Sequence, residues 1–197
     1  ALRDATVGHA DDARQEATAA LSLRGERTLQ SLTALSFAQI GDSAKAQKMI
    51  DDLSREFPSD TFVNSYFRPV VLGLIALQRN NPAEAISAVE PYRKYAMGSG
   101  PDLPVYWFWY VRGQAFLRQK DGAKAAAEFQ TILDHRGLEP TSELYPLAQL
   151  NMARAYAMQG DMTKARTAYQ DFFALWKDAD EDLPVLREAK AEYGKLK

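Results

Sequence analysis

The sequence contains no cysteine and only two histidines among its 197 residues. The absence of cysteine excludes disulfide bonds, thiolate nucleophiles, iron–sulfur clusters and the usual cysteine-bound zinc sites. His9 and His135 have no nucleophile or metal-ligand partner at a useful spacing along the chain. We therefore expect both histidines to be structural, and we predict no metal ion and no cofactor.

An excess of one charge is also missing. The 24 basic and 26 acidic residues are spread along the chain and give a net charge of −2. A nucleic-acid surface or an anionic membrane surface would need a basic patch, and none is visible. No apolar run reaches the roughly 18 residues of a transmembrane helix. We expect this segment neither to bind nucleic acid nor to insert into a membrane.

No set of residues points to catalysis. A catalytic site needs an acid, a base or a nucleophile held together in a pocket. The acidic clusters at 11–12, 51–52 and 178–182 lack the spacing of a calcium loop. We therefore predict that the segment is not an enzyme. The sequence leaves the compartment open: cytoplasmic, or extracytoplasmic if a membrane span precedes it. Because the chain begins without Met and within a helical pattern, we expect it to be a fragment of a longer protein.

What the sequence does contain is a repeat of small residues. One series is spaced by 33, 39, 40 and 40 residues: Ala13, Ala46, Ala85, Ala125 and Ala165. A second series lies twelve residues before the last four of these: Ala34, Gly73, Gly113 and Ala153. Glycine, asparagine or aspartate falls between the two series each time. Two helices can cross closely only where neither has a bulky side chain, so this recurrence predicts stacked helical hairpins.

The register of these residues predicts five units and a final helix. The units cover about 1–22 (partial), 27–58, 66–97, 106–137 and 145–177. A strongly charged helix at 184–197 would then cap the open end of the array.

The clearest unit has Trp109, Gly113 and Phe116 in its first helix and Ala125 and Phe129 in its second. This order resembles the tetratricopeptide pattern W-x2-L-G-x2-Y followed by A-x3-F, with Arg112 in place of the leucine. The resemblance extends over essentially the whole chain. It implies an all-α fold, a right-handed α-solenoid of antiparallel helix hairpins, whose inner groove binds a peptide or a protein.

A narrower resemblance is carried by residues 112–117, 125–137 and 172–184. These segments are similar to the C-terminal repeat region of large bacterial signalling proteins. In such proteins the repeats follow a serine/threonine kinase domain or a winged-helix DNA-binding domain. The resemblance implies that this chain is the sensor or docking part of such a parent.

The aromatic run at 106–110 is the strongest candidate for a binding surface. Residues three or four apart share a helix face, so Trp107 and Tyr110 lie one turn apart. In the packing of the resembled family this face lines the groove. The predicted partner-binding residues on it are Val70, Leu74, Trp107, Tyr110, Gln114, Asn151 and Arg154. The alternative is that the aromatics belong to the core, or are covered by the C-terminal helix or by another copy of the chain.

Three functions follow as hypotheses. The first is a non-catalytic module that binds a peptide or protein segment in the groove. The second is a regulatory domain of a serine/threonine kinase that acts by self-association, for example as a homodimer. The third is a small-molecule sensor, which would require a closed pocket.

Overall fold

The computed structural model describes residues 1–22, 26–98 and 105–196, and these residues form eleven α-helices and no β-strand. The helices are α1 (Leu2–Val7), α2 (Ala10–Leu21), α3 (Arg27–Gln39), α4 (Ser43–Glu56), α5 (Arg68–Gln78), α6 (Pro82–Val89), α7 (Trp107–Arg118), α8 (Gly122–Asp134), α9 (Leu144–Met158), α10 (Met162–Leu175) and α11 (Pro184–Tyr193). A π-helical turn, Phe62–Phe67, leads into α5, and 3-10 turns occupy Glu90–Tyr95 and Arg136–Leu138. The prediction of an all-α fold is confirmed.

Five hairpins share one kind of turn. One or two residues after the first helix of each, the chain has a residue with a left-handed backbone: Gly8, Gly41, Asn80, Lys120 and Gly160. The next N–H then bonds back to a carbonyl five residues earlier, at distances of 2.8 to 3.0 Å. This bond satisfies a carbonyl that the helix end leaves free. In three hairpins, Asn81, Asp121 or Asp161 caps the second helix by accepting a backbone N–H. These turn residues therefore end one helix and start the next.

The helices stack as a solenoid. Each even-numbered helix from α2 to α8 packs between the odd-numbered helices before and after it, and α10 packs between α9 and α11. Helices α1, α3, α5, α7 and α9 also contact one another in a continuous inner row. The predicted α-solenoid is confirmed. The division into five units stays a prediction. The predicted capping helix corresponds to α11, and Lys197 at its end lies outside the described residues.

Small residues lie where helices cross most closely. The alanines of both series are fully buried. A Cβ atom on Gly113 would lie 2.6 Å from two ring atoms of Phe129, and one on Gly73 would lie 2.8 Å from Val89 Cγ1. Side chains at these points would force the helices apart. The recurrence seen in the sequence therefore has a packing cause.

The π-helical turn before α5 has a local cause in Pro69. Proline has no N–H to donate to the carbonyl of Ser65, and its ring crowds that carbonyl. The turn Phe62–Phe67 is wider than an α-helix and accommodates this loss. The helical path into α5 starts before residue 66, the approximate start that the sequence predicts for the third unit.

The two ends of the solenoid meet. Gly8, at the end of α1, lies against Pro184 at the start of α11, and a Cβ on Gly8 would be 2.9 Å from Pro184 Cβ. Arg3 Nε lies 3.8 Å from Glu143 Oε2, just before α9. The inner row, continued by α11, is therefore a nearly closed ring. We call the contact between α1 and residues 143 and 184 the seam.

Candidate functional site

The structure places most of the seven predicted site residues inside the protein. Five of them are only 1% to 7% exposed: Val70, Leu74, Trp107, Tyr110 and Asn151. Gln114 is half-buried, and the side chain of Arg154 is 24% exposed. The aromatics therefore do not line an open groove. Their position matches the alternative that the sequence left open, in which they belong to the core.

The aromatic run at the start of α7 contacts several different neighbours. Tyr106 donates a hydrogen bond to the carbonyl of His135 at 2.8 Å. Trp107 packs edge-to-face on Tyr110, with ring centroids 5.8 Å apart. Trp109 stacks on the His135 ring at 6.3 Å. The run thus joins α7 to the end of α8, where His135 takes part in the packing.

Three of the predicted polar residues form one hydrogen-bonded cluster. Asn151 Nδ2 donates to the carbonyl of Leu147 at 2.8 Å and lies 3.5 Å from the Tyr110 hydroxyl. Arg154 Nη1 donates to Asn151 Oδ1 at 3.2 Å. Burial raises the pKa of Tyr110, although the positive charge of Arg154 and hydrogen bonds with Asn151 and Gln114 oppose that rise. Val70 and Leu74 on α5 are elsewhere in the core.

Arg154 links this cluster to α11. Its Nε donates to Glu192 Oε2 at 2.9 Å, and its Nη2 lies 3.3 Å from Glu188 Oε2. The hydroxyl of Tyr169 donates to the same Glu192 oxygen at 2.8 Å. Burial alone would lower the pKa of Arg154, but the hydrogen bond and charge of Glu192 raise it. The guanidinium therefore remains charged and holds α11 against α9.

A cavity of about 280 Å³ lies on the inner side of the ring, beside the seam. We call it the central cavity. Its wall combines residues that are distant in sequence: Thr6, Val7, Gln39, Tyr110, Leu147, Leu150, Asn151, Arg154, Val185 and Glu188 are among them. Three of the seven predicted residues, Tyr110, Asn151 and Arg154, thus meet at one cavity. Sequence reasoning missed Val7, Val185 and Glu188, because only the closure of the ring brings them there.

A titratable group that the sequence did not reveal is Glu139, in the connection between α8 and α9. Burial raises the pKa of its carboxyl group to about 7, although hydrogen bonds from Ser142 and from the N–H groups of Tyr106 and Val105 oppose that rise. Its own N–H lies 3.3 Å from the Tyr106 hydroxyl. Glu139 thus contacts Tyr106 just before α7, and a pKa of about 7 means that its carboxyl group changes charge near neutral pH.

Two features are absent from the described residues. No cluster of three or more histidine, aspartate or glutamate residues is placed to hold a metal ion. Within 1–22, 26–98 and 105–196, no helix has the length and hydropathy of a transmembrane span.

Comparison with protein-family models gives two matches. Residues 70–140 match one tetratricopeptide repeat model, and residues 147–178 match another. Together the two segments cover just over half of the 197 residues. Neither the curated proteins nor the solved structures include a match to the chain.

Proposed function

The chain belongs to the tetratricopeptide repeat family, and from this premise we propose that it binds a segment of a partner protein at the mouth of the central cavity. Tetratricopeptide repeats indicate a protein–protein interaction module. The observation that carries the finer proposal is the cavity itself, where Tyr110, Asn151 and Arg154 meet on the inner side of the ring.

The size of the cavity limits what can enter it. A volume of about 280 Å³ lies just below the roughly 300 to 1,000 Å³ of sites that hold a drug-sized molecule. It has room for one or two side chains and not for a whole helix. The proposed contact is therefore a single inserted side chain of the partner, with its neighbouring backbone at the mouth.

The chemistry of the mouth supports this arrangement. Val7 and Val185 are half-buried and provide an apolar entrance. Glu188 is exposed and Arg154 is partly exposed. Glu188 can therefore accept hydrogen bonds from the backbone of a bound peptide, and Arg154 can donate hydrogen bonds to it. Val70, Leu74 and Trp107 have no part in this proposal because they are already buried within the chain.

A peptide-display selection tests the proposal. Peptides are selected on the wild-type chain and then measured on Val7→Trp, in which the larger side chain fills the entrance. The matched control is Leu175→Trp, at an exposed position of α10 away from the cavity. We expect the selected peptides to lose binding to Val7→Trp and to keep it on Leu175→Trp. Equal binding to both variants would reject the cavity as the site.

Self-association as the regulatory part of a kinase remains a second proposal, carried by the narrower sequence resemblance. Sedimentation equilibrium of the chain tests it. A stable dimer at micromolar concentration supports self-association, and a monomer at all concentrations argues against it.

A further inference from the structure

The seam is a small contact compared with the packing of α1 on its sequence neighbours. Helix α1 packs extensively against α2 and α3, whereas it makes few contacts with α9 and α11. Across the seam, the Arg3 and Glu143 side chains lie 3.8 Å apart, and Arg3 is exposed. Glu143 is mostly buried, but a separation of 3.8 Å from a solvated guanidinium makes this a weak ion pair. A second contact at the seam joins Gly8 and Pro184.

Opening the seam would leave the rest of the solenoid intact. In a solenoid each unit is stabilised by its direct neighbours, so a contact between the two ends is additional to the stacking. Small changes of angle between successive helix pairs can separate the ends without unpacking any pair. Such an opening costs less free energy than global unfolding, because it breaks far fewer contacts.

The central cavity lies directly behind the seam. Val7 and Gly8 of α1 and Pro184 and Val185 of α11 form one side of it, and Leu147 and Leu150 of α9 lie on its wall. Both leucines are at most 1% exposed in the closed ring. Moving α1 away from α9 and α11 would uncover them.

We propose that the seam is a gate, which opens by separation of α1 from α9 and α11 and uncovers the Leu147 and Leu150 wall of the central cavity. Gly8 permits the closed state because any Cβ at this position would lie 2.9 Å from Pro184 Cβ. The inference rests on the closed ring and not on the partner proposed above, so its test requires no partner.

The first measurement is the labelling rate of a single introduced cysteine. The natural sequence has no cysteine, so only the introduced thiol reacts. Leu150→Cys places the thiol at the cavity wall, and Leu53→Cys places it in the core of α4, where Leu53 is equally buried. A thiol reagent is added without denaturant. We expect Leu150→Cys to react at least about tenfold faster than Leu53→Cys, since opening the seam is easier than unfolding.

The denaturant dependence of these rates distinguishes labelling through an open seam from labelling after global unfolding, in case either variant is less stable than the wild type. A gate exposes little surface, so the labelling of Leu150→Cys should change little at low denaturant concentration, whereas that of Leu53→Cys should rise steeply. Equal rates with equal denaturant dependence would overturn the proposal.

The second measurement ties the labelling to the seam. Gly8→Ala and Gly160→Ala both place a side chain on a left-handed backbone, at φ of +99° and +79°. Only Gly8→Ala also forces a contact with Pro184, because nothing lies within 4 Å of a Cβ at Gly160. In the Leu150→Cys background we expect Gly8→Ala to speed labelling severalfold and Gly160→Ala to leave it nearly unchanged. Equal effects of the two alanines would show that the seam does not control access.

Discussion

Replacing Gly113 by alanine tests whether small residues are what allows these helices to cross. Gly113 lies in the middle of α7, where the ring of Phe129 on α8 packs directly over it. An added Cβ would lie 2.6 Å from the Cε1 and Cζ atoms of that ring and 3.0 Å from Cε2. Favourable carbon contacts are about 3.5 to 4.0 Å, so the ring would have to retreat by about 1 Å.

Two opposing terms set the size of the effect. Alanine is favoured over glycine inside a helix by about 1 kcal/mol. Overpacking of a tight core typically costs about 1 to 3 kcal/mol. Phe129 is fully buried, and the ring of Tyr110 stands 6.1 Å from it, so the retreat is restricted. We therefore expect the clash to prevail and Gly113→Ala to lower the free energy of unfolding by about 1 to 2 kcal/mol.

Urea unfolding followed by far-UV circular dichroism measures this change. Gly137→Ala is the matched control, because nothing lies within 4 Å of a Cβ at that position. We expect the control to be within about 0.5 kcal/mol of the wild type. A Gly113→Ala variant as stable as the wild type, or more stable, would refute the close-crossing argument.

Three further changes test the core and its charges. Trp107→Ala should lower the free energy of unfolding by about 3 to 5 kcal/mol in the same urea assay, because the ring is fully buried. Phe62 is exposed, so Phe62→Ala serves as the control. An equally small effect of both variants would contradict the burial of Trp107. Arg112→Leu should lower the free energy of unfolding by about 2 kcal/mol because it leaves Glu128 unpaired. Adding Glu128→Leu should recover most of that loss. If the double variant is no more stable than Arg112→Leu, the two side chains are not coupled. For Glu139, the pKa of about 7 in the folded protein lies above the value of 4.5 expected for an exposed glutamate. Its contribution is fully present below pH 4.5 and is lost as the pH rises through 7. Glu139→Gln should therefore match the wild type at pH 4 and exceed its stability at pH 8 by about 1 to 3 kcal/mol, and an equal difference at both pH values would contradict the shifted pKa.

The hairpins could be predicted from sequence because their signals are local. The alanine and glycine series and the turn residues near Gly41, Asn80 and Gly160 depend only on contacts within one hairpin or with the next. Arg112, which departs from the leucine of the repeat pattern, is also explained locally. Its guanidinium lies over the rings of Phe108 and Phe116 and pairs with Glu128 at 2.8 Å.

The site could be predicted only in part, because its exposure depends on the whole ring. The packing of the resembled family puts Asn151, Arg154 and Tyr110 on the same side of neighbouring first helices, yet sequence cannot tell whether another layer covers that face. Here five of the seven residues are buried. Helices α1 and α11 close the ring beside the cavity, and their positions are the sum of many small rotations between helix pairs. No sequence pattern therefore indicated that Val7 and Val185 would line the cavity. The pKa of Glu139 is likewise set by tertiary burial rather than by its neighbours in sequence.

The closed inner row is tested most directly by a cross-link between its ends. The variant Arg3→Cys/Glu143→Cys is treated with a short bis-maleimide, and Arg3→Cys/Lys48→Cys, with its second thiol on the outer helix α4, serves as the control. A closed ring predicts an intramolecular link in most monomers of the first variant and almost none in the second. Equal, low yields in both variants would contradict the closed ring.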